Sequence, residues 1–224
     1  MHHNKRLAAA IAAIALLAGP TAHAALLTSD VGYTGPLIDL SAYATGSYNF
    51  TFGPKPIPGG ITFTRSPDTA SNSGNGAVLG QGDYGLGSNG SFGGDAIYAG
   101  LDGQRGWIRF TLSAPVQSFG AYVNYSPGDG DAPTISVLDQ DGNVLESHNL
   151  ADVAPVSTPG GFNGFAFRGI SLASASIYTL QLSGSYIIAA GSETGLPPVP
   201  EPSTYALMLG GIGALAVMAR RRRG

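Results

Sequence analysis

Apolar side chains recur at every second position along many short stretches of this chain. Tyr48, Phe50 and Phe52 alternate, and Ile61-Thr62-Phe63 follows them. In Trp107-Ile108-Arg109-Phe110-Thr111-Leu112 the residues Ile108, Phe110 and Leu112 share one face. Phe119, Ala121, Val123 and Tyr125 repeat with the same period, as do Phe165 with Phe167 and Tyr178 with Leu180 and Leu182. Period two in β-branched and aromatic residues predicts half-buried strands. Asp141-Gly142 lies between Ile135–Leu138 and Val144-Leu145, the pairing of turn and flanks that marks a tight hairpin. Pro-Gly, Gly-Gly and Asp-Gly pairs punctuate the rest, and no amphipathic helix of ordinary length is predicted between residues 25 and 196. The expected fold is all-β, an antiparallel β-sandwich or jelly roll.

The two ends break this pattern with unbroken apolar runs. Lys5 and Arg6 precede Leu7 to Gly19, and Ala22-His23-Ala24 follows with small residues where a signal peptidase reads. This order predicts a signal helix within residues 1–24, cleavage after Ala24, and Ala25 as the mature N-terminus. At the other end a Pro-rich linker, residues 197–204, contains Pro200-Glu201-Pro202. Tyr205 to Ala219 is then apolar, and Arg220, Arg221, Arg222 and Arg223 precede the final glycine. A helix over 205–219 rises about 22 Å, short of a hydrocarbon core of about 30 Å. It predicts a marginal transmembrane helix suited to brief insertion, with the arginines of the 220–224 tail held on the cytoplasmic side.

The succession of Pro-Glu-Pro triplet, short Gly/Ala/Leu span and basic terminus resembles the C-terminal sorting signal of the PEP-CTERM family of exported bacterial proteins. That resemblance implies recognition by a membrane-embedded exosortase and removal of the helix near Pro200-Glu201-Pro202. It also implies an inner-membrane precursor that ends at the cell surface or in the extracellular matrix of a Gram-negative-type bacterium. Residues 100–190 are similar to the β-sandwich bodies of other proteins with this tail, through Pro115–Ala121, Ile135–Leu145 and Phe167-Arg168-Gly169-Ile170. In several of those bodies the last strand runs into an acidic pair. Tyr186–Ala190 carries no carboxylate here, a departure that takes away the resemblance's support for a metal site at this strand.

Removing the two ends changes the charge. The whole chain is net −3, but Ala25 to Pro200 keeps five basic residues against thirteen acidic ones, a balance of −8. A basic nucleic-acid footprint is therefore excluded from the body. With no cysteine, the fold must rest on a packed core even in an oxidising compartment. Residues 71–106 hold 12 glycines, and a long surface loop or a set of irregular strands is expected there. Gly80–Gly85 and Gly85–Gly90 spell the dinucleotide fingerprint, but neither opens a helix in a βαβ unit.

Candidate chemistry is sparse. Asp139, Asp141 and Asn143 have the spacing of the first three ligands of a calcium loop, yet Val144 and Leu150 stand where glycine and a bidentate glutamate belong. A hairpin turn accounts for the same residues. Asp129 with Asp131 and Asp83 with Asp95 are looser calcium candidates, and no other cofactor or metal is expected. His148 is the one histidine after residue 24, with no catalytic signature around it, so no catalytic residue is assigned. An exported hydrolase built on a carboxylate pair is the least favoured class. Trp107, Tyr122 and Tyr125 are candidate sugar platforms, with core packing as the competing role. Asn49-Phe50-Thr51 and Asn89-Gly90-Ser91 are formal glycan-acceptor triplets. The expected function is an exported, non-enzymatic surface or matrix protein associated with extracellular polysaccharide. A carbohydrate-binding, lectin-like module is the alternative. Signal peptidase and an exosortase-type enzyme are the expected processing partners.

Overall fold

The computed structural model describes residues 24–43, 50–67, 76–79, 84–94, 96–184 and 186–195. The predicted signal segment up to residue 23, the linker with its Pro-Glu-Pro motif, the sorting helix and the arginine tail lie outside the described residues. So do Asp83, Asp95 and Asn49. Among the described residues no helix is long and apolar enough to cross a membrane.

The regular structure among the described residues is almost all short β-strand, joined by loops. The strands are β1 (Ala25–Leu27), β2 (Phe50–Phe52), β3 (Lys55–Ile57), β4 (Ile61–Arg65) and β5 (Ala77–Leu79). Next come β6 (Tyr84–Gly85), β7 (Ser91–Phe92), β8 (Tyr98–Gly100), β9 (Trp107–Val116) and β10 (Ser118–Asn124). The last are β11 (Thr134–Leu138), β12 (Val144–Asn149), β13 (Ala166–Ser171), β14 (Ile177–Ser183) and β15 (Ile188–Ala190), with one single-turn helix, α1 (Leu150–Val153), after β12. One sheet runs β1-β13-β10-β15-β8-β5-β2 and the other β12-β11-β14-β9-β4-β3, all neighbours antiparallel.

The alternation explains how the two sheets meet. Phe119, Ala121, Val123 and Tyr125 project from β10 and its exit, and Ile108, Phe110 and Leu112 from β9, into one shared core with Ile135, Val137, Leu180 and Leu182. Opposite faces of strands that have one dry side carry the polar residues, as period two requires. The β11–β12 connection is the predicted hairpin, with Gly142 at φ 84° in a position that suits glycine. Asp139 stabilises it by accepting from the N–H groups of Asp141 and Asn143.

Three stretches depart from the simple reading. Phe165 and Phe167 do not face the shared core. In β13 it is Ala166 and Ile170 that pack toward it, and the two phenylalanines join rings on the outer side of the seven-stranded sheet. In β14 the register with β9 shifts between Ile177 and Thr179, so Ile177 is buried in the core and Tyr178 is only half-buried. The glycine-rich segment is structural: β5 and β8 lie inside the seven-stranded sheet, while β6 and β7 form a separate ribbon. Leu86 and Phe92 from that ribbon cover Tyr98, Phe165 and Ile188, making a second small core on the sheet's outer face. Burial of both faces hides the alternation of β5, β8 and β15.

Candidate functional site

Among the described residues a half-open cavity of about 400 Å³ lies at one end of the sandwich. Three loops wall it: the turn at 87–90, the segment after β10, and the chain from α1 to Pro159. Pro127, Pro133, Pro155 and Pro159 supply rigid apolar surface, and Ser88 and Ser157 supply exposed hydroxyls. None of the described lining residues is charged.

A buried amide network fixes these loops. Asn89, only 4 % exposed, has Nδ2 at 3.0 Å from Asn124 Oδ1, Tyr125 O and Val156 O. Its Oδ1 accepts from the Thr158 N–H at 3.2 Å, and its backbone carbonyl accepts from Thr158 Oγ1 at 2.8 Å. Asn124 donates from Nδ2 to Thr158 Oγ1 and Gly164 O, while its Oδ1 accepts from the Tyr125 N–H. The Tyr125 hydroxyl accepts from the Val156 N–H at 3.2 Å. Such satisfied polar clusters set a unique loop arrangement, since any slip strands several buried groups together. Gly90 is required by closeness as well as conformation: at φ 87°, a Cβ there would sit 2.2 Å from Gly161 O. Behind the same wall lies Arg168, 8 % exposed, which donates to the carbonyls of Ala154, Pro155 and Phe167. Burial lowers its pKa, with the Tyr125 phenol opposing.

The sequence-predicted sites do not converge. Tyr125 is 2 % exposed and belongs to the core, so it offers no platform to a sugar. Tyr122 is half-buried on the outer face of the seven-stranded sheet, edge-on to Phe167, and donates to Asp30 Oδ2 at 2.5 Å. Burial, then the Asp30 hydrogen bond and the charges of Asp30 and Glu193, raise its pKa to about 12. Tyr33 is raised to about 12 by burial alone, the Gly120 N–H opposing. Trp107 lies half-buried on the other sheet with the Arg109 guanidinium 4.0 Å from its ring centroid. Arg109 donates from Nε to Gln181 Oε1 at 2.7 Å, and partial burial lowers its pKa. The three candidate platforms therefore lie in three places: one outer face, the other outer face, and the interior.

Asp139 Oδ1 and Oδ2 are engaged by Asp141 N, Asn143 N and Asn143 Nδ2, which lowers its pKa. Asp129 accepts from the Ser126 hydroxyl. Among the described residues no three acidic or imidazole groups gather as metal ligands would. His148 Nε2 lies 3.4 Å from Glu146 Oε1 at the edge of the six-stranded sheet. Asn89 cannot serve as a glycan acceptor in this fold, because its amide nitrogen is spent inside. Sequence reading missed the Asn89–Asn124–Thr158 network, and isolated polar residues in a Gly-rich stretch give no signal for it.

The body closes just before the tail. The Ile97 N–H donates to Gly195 O at 2.9 Å, and the Phe165 N–H donates to Glu193 O at 3.1 Å. Immediately beyond, residues 198–223 match the PEP-CTERM protein-sorting motif. The chain carries a PEP-CTERM sorting signal. That motif makes it an exported protein, targeted to an exosortase and processed at the membrane. No curated protein and no solved structure matches the chain.

Proposed function

We propose that this PEP-CTERM protein is a non-enzymatic building element of the cell surface or extracellular matrix, delivered as a finished sandwich by cuts at both ends. The observation that carries the reading is the position of the sorting motif. It begins three residues after Gly195, the last described residue, whose carbonyl accepts from the Ile97 N–H. A cut near Pro200-Glu201-Pro202 therefore leaves every described strand whole, the last of them ending at Ala190. The same holds at the front, where cleavage after Ala24 leaves β1 whole, with Ala25 paired to Ser171.

The rest of the body fits such a role. Polar side chains on the outer face of the six-stranded sheet satisfy each other across strands, as in Thr111–Thr179 at 3.0 Å and Ser136–Ser147 at 2.8 Å. A surface of this kind, with a strongly acidic balance, favours solubility in a hydrated polysaccharide layer. Replacing Pro200, Glu201 and Pro202 together with alanine tests the delivery step. The reading expects the variant to accumulate in the inner membrane with its sandwich folded; normal release of the variant would refute it. Carbohydrate binding by the body is the second reading, and the cavity end of the sandwich favours it.

A further inference from the structure

Phe162 is the only aromatic residue in the exposed class among the described residues, at 63 %. Its loop is held on both sides of it. Gly161 O accepts from the Ser91 N–H at 3.0 Å, and the Asn163 N–H donates to Ser91 O at 3.0 Å. The Asn163 side chain adds a two-way clasp, accepting from the Gly93 N–H and donating to Gly93 O, both at 2.9 Å. Asn163 adopts φ 54°, a left-handed turn conformation that asparagine tolerates better than most residues other than glycine. Four hydrogen bonds thus fix the backbone on either side of an exposed phenyl ring.

The same loop walls the cavity. Pro159 and Ser157 line it, and Gly161 N donates to Thr158 O within the turn that leads to Phe162. On the far side, Ser88 and Asn89 line it from the segment that Phe162's neighbours clasp. Phe162 does not itself line the cavity but follows Pro159 by three residues. An exposed phenyl ring on a clasped backbone thus stands near an uncharged concavity of about 400 Å³ with proline surfaces and the exposed serines Ser88 and Ser157. The volume lies within the range of about 300–1,000 Å³ usual for small-ligand sites.

We infer that this end binds a neutral glycan, one pyranose ring stacking on Phe162 and a neighbouring unit entering the cavity. A pyranose presents an apolar C–H face that matches an aromatic ring and a rim of hydroxyls that matches Ser88 and Ser157. The absence of charge among the described lining residues favours neutral sugars over uronic acids, whose carboxylate would be desolvated there without a cation. Rigidity matters because a clasped backbone beneath the ring and proline walls lose little entropy on binding. The inference rests on the reading of the body as a protein that meets polysaccharide outside the cell.

The test uses the full chain in mild detergent, so it does not depend on processing. Saturation-transfer NMR and calorimetry with neutral gluco-, galacto- and manno-hexasaccharides, and an oligouronate as the anionic comparison, give the affinities. At least one neutral probe should bind, and Phe162→Ala should weaken it by about tenfold or more, the size of a lost aromatic contact plus its buried area. Phe162→Trp should restore binding, Ser157→Ala should weaken it, and Trp107→Ala should leave it unchanged. Thermal melts of Phe162→Ala should match the wild type, since the ring is exposed. No binding by any neutral probe, unchanged binding by Phe162→Ala, loss with Trp107→Ala, or preference for the oligouronate would each overturn the site. None of these results would disturb the sorting reading, which rests on the tail.

Discussion

Replacing Asn89 with alanine removes one side chain that serves three loops at once. Its Nδ2 lies 3.0 Å from Asn124 Oδ1, Tyr125 O and Val156 O, and its Oδ1 accepts from Thr158 N. Asn124 Oδ1 keeps a donor in the Tyr125 N–H, so that oxygen is not orphaned. The carbonyls of Tyr125 and Val156 lose the donor they share. Each stranded buried group costs about 1–3 kcal/mol, and the adjoining cavity lets water recover part of that. A net loss of about 3 kcal/mol is expected, a large share of the roughly 5–15 kcal/mol that holds a domain together. With a urea dependence of about 2 kcal/mol per molar, the unfolding midpoint should fall by about 1.5 M. Urea titration followed by circular dichroism measures it, with Ser88→Ala, an exposed neighbour in the same turn, as the silent control. A shift for Asn89→Ala below about 0.3 M would refute the view that this network fixes the cavity loops.

Alkaline pH should destabilise the fold in a defined window. Tyr33 and Tyr122 are raised to about 12, so they keep their protons in the fold while the unfolded chain ionises its tyrosines near 10. Their contribution is complete below that pH and lost as pH climbs toward about 12. Ultraviolet titration should show two phenols ionising near pH 12, and Tyr122→Phe should remove one of them and flatten the alkaline fall in Tm. Asp139 works in the opposite direction. Its pKa is lowered by the Asn143 and Asp141 hydrogen bonds, so its contribution is present at neutral pH and lost on acidification. The Tm gap between wild type and Asp139→Ala should therefore close as pH drops below the ordinary carboxylate range. Chelation with EDTA should leave Tm unchanged, because both Asp139 oxygens already serve the turn; a fall in Tm would reveal a bound cation.

The strands with one wet face were legible in the chain. β9 and β10 alternate because Phe110 or Phe119 meets the core while Arg109 or Ser118 does not. The Asp139–Asn143 turn was legible for the same local reason: its chemistry is complete within five residues. The Gly-rich segment was not. Val78 and Ala99 face the shared core while Leu79 and Tyr98 face the second one, so no polar residue marks a surface. Gly100 hides a further constraint, since a Cβ there would meet Ile188 Cγ2 at 2.3 Å. The orientation of β13 was equally hidden. Phe167 finds Tyr33 and Tyr122 outside the sheet, and Arg168 finds carbonyls of the α1 exit, partners set by distant loops. Phe162 gave no pattern at all. Its meaning depends on Ser91 and Gly93, some seventy residues earlier in the chain.

The most direct test of the central claim is the intact mass of the protein recovered from its host, taken separately from inner-membrane, surface and extracellular fractions. The account predicts a species that starts at Ala25, ends near Pro200–Pro202, and lies outside the inner membrane. A surface or extracellular species that still carries Arg220 to Arg223, or one held in the inner membrane at full length with no shorter form, would contradict it.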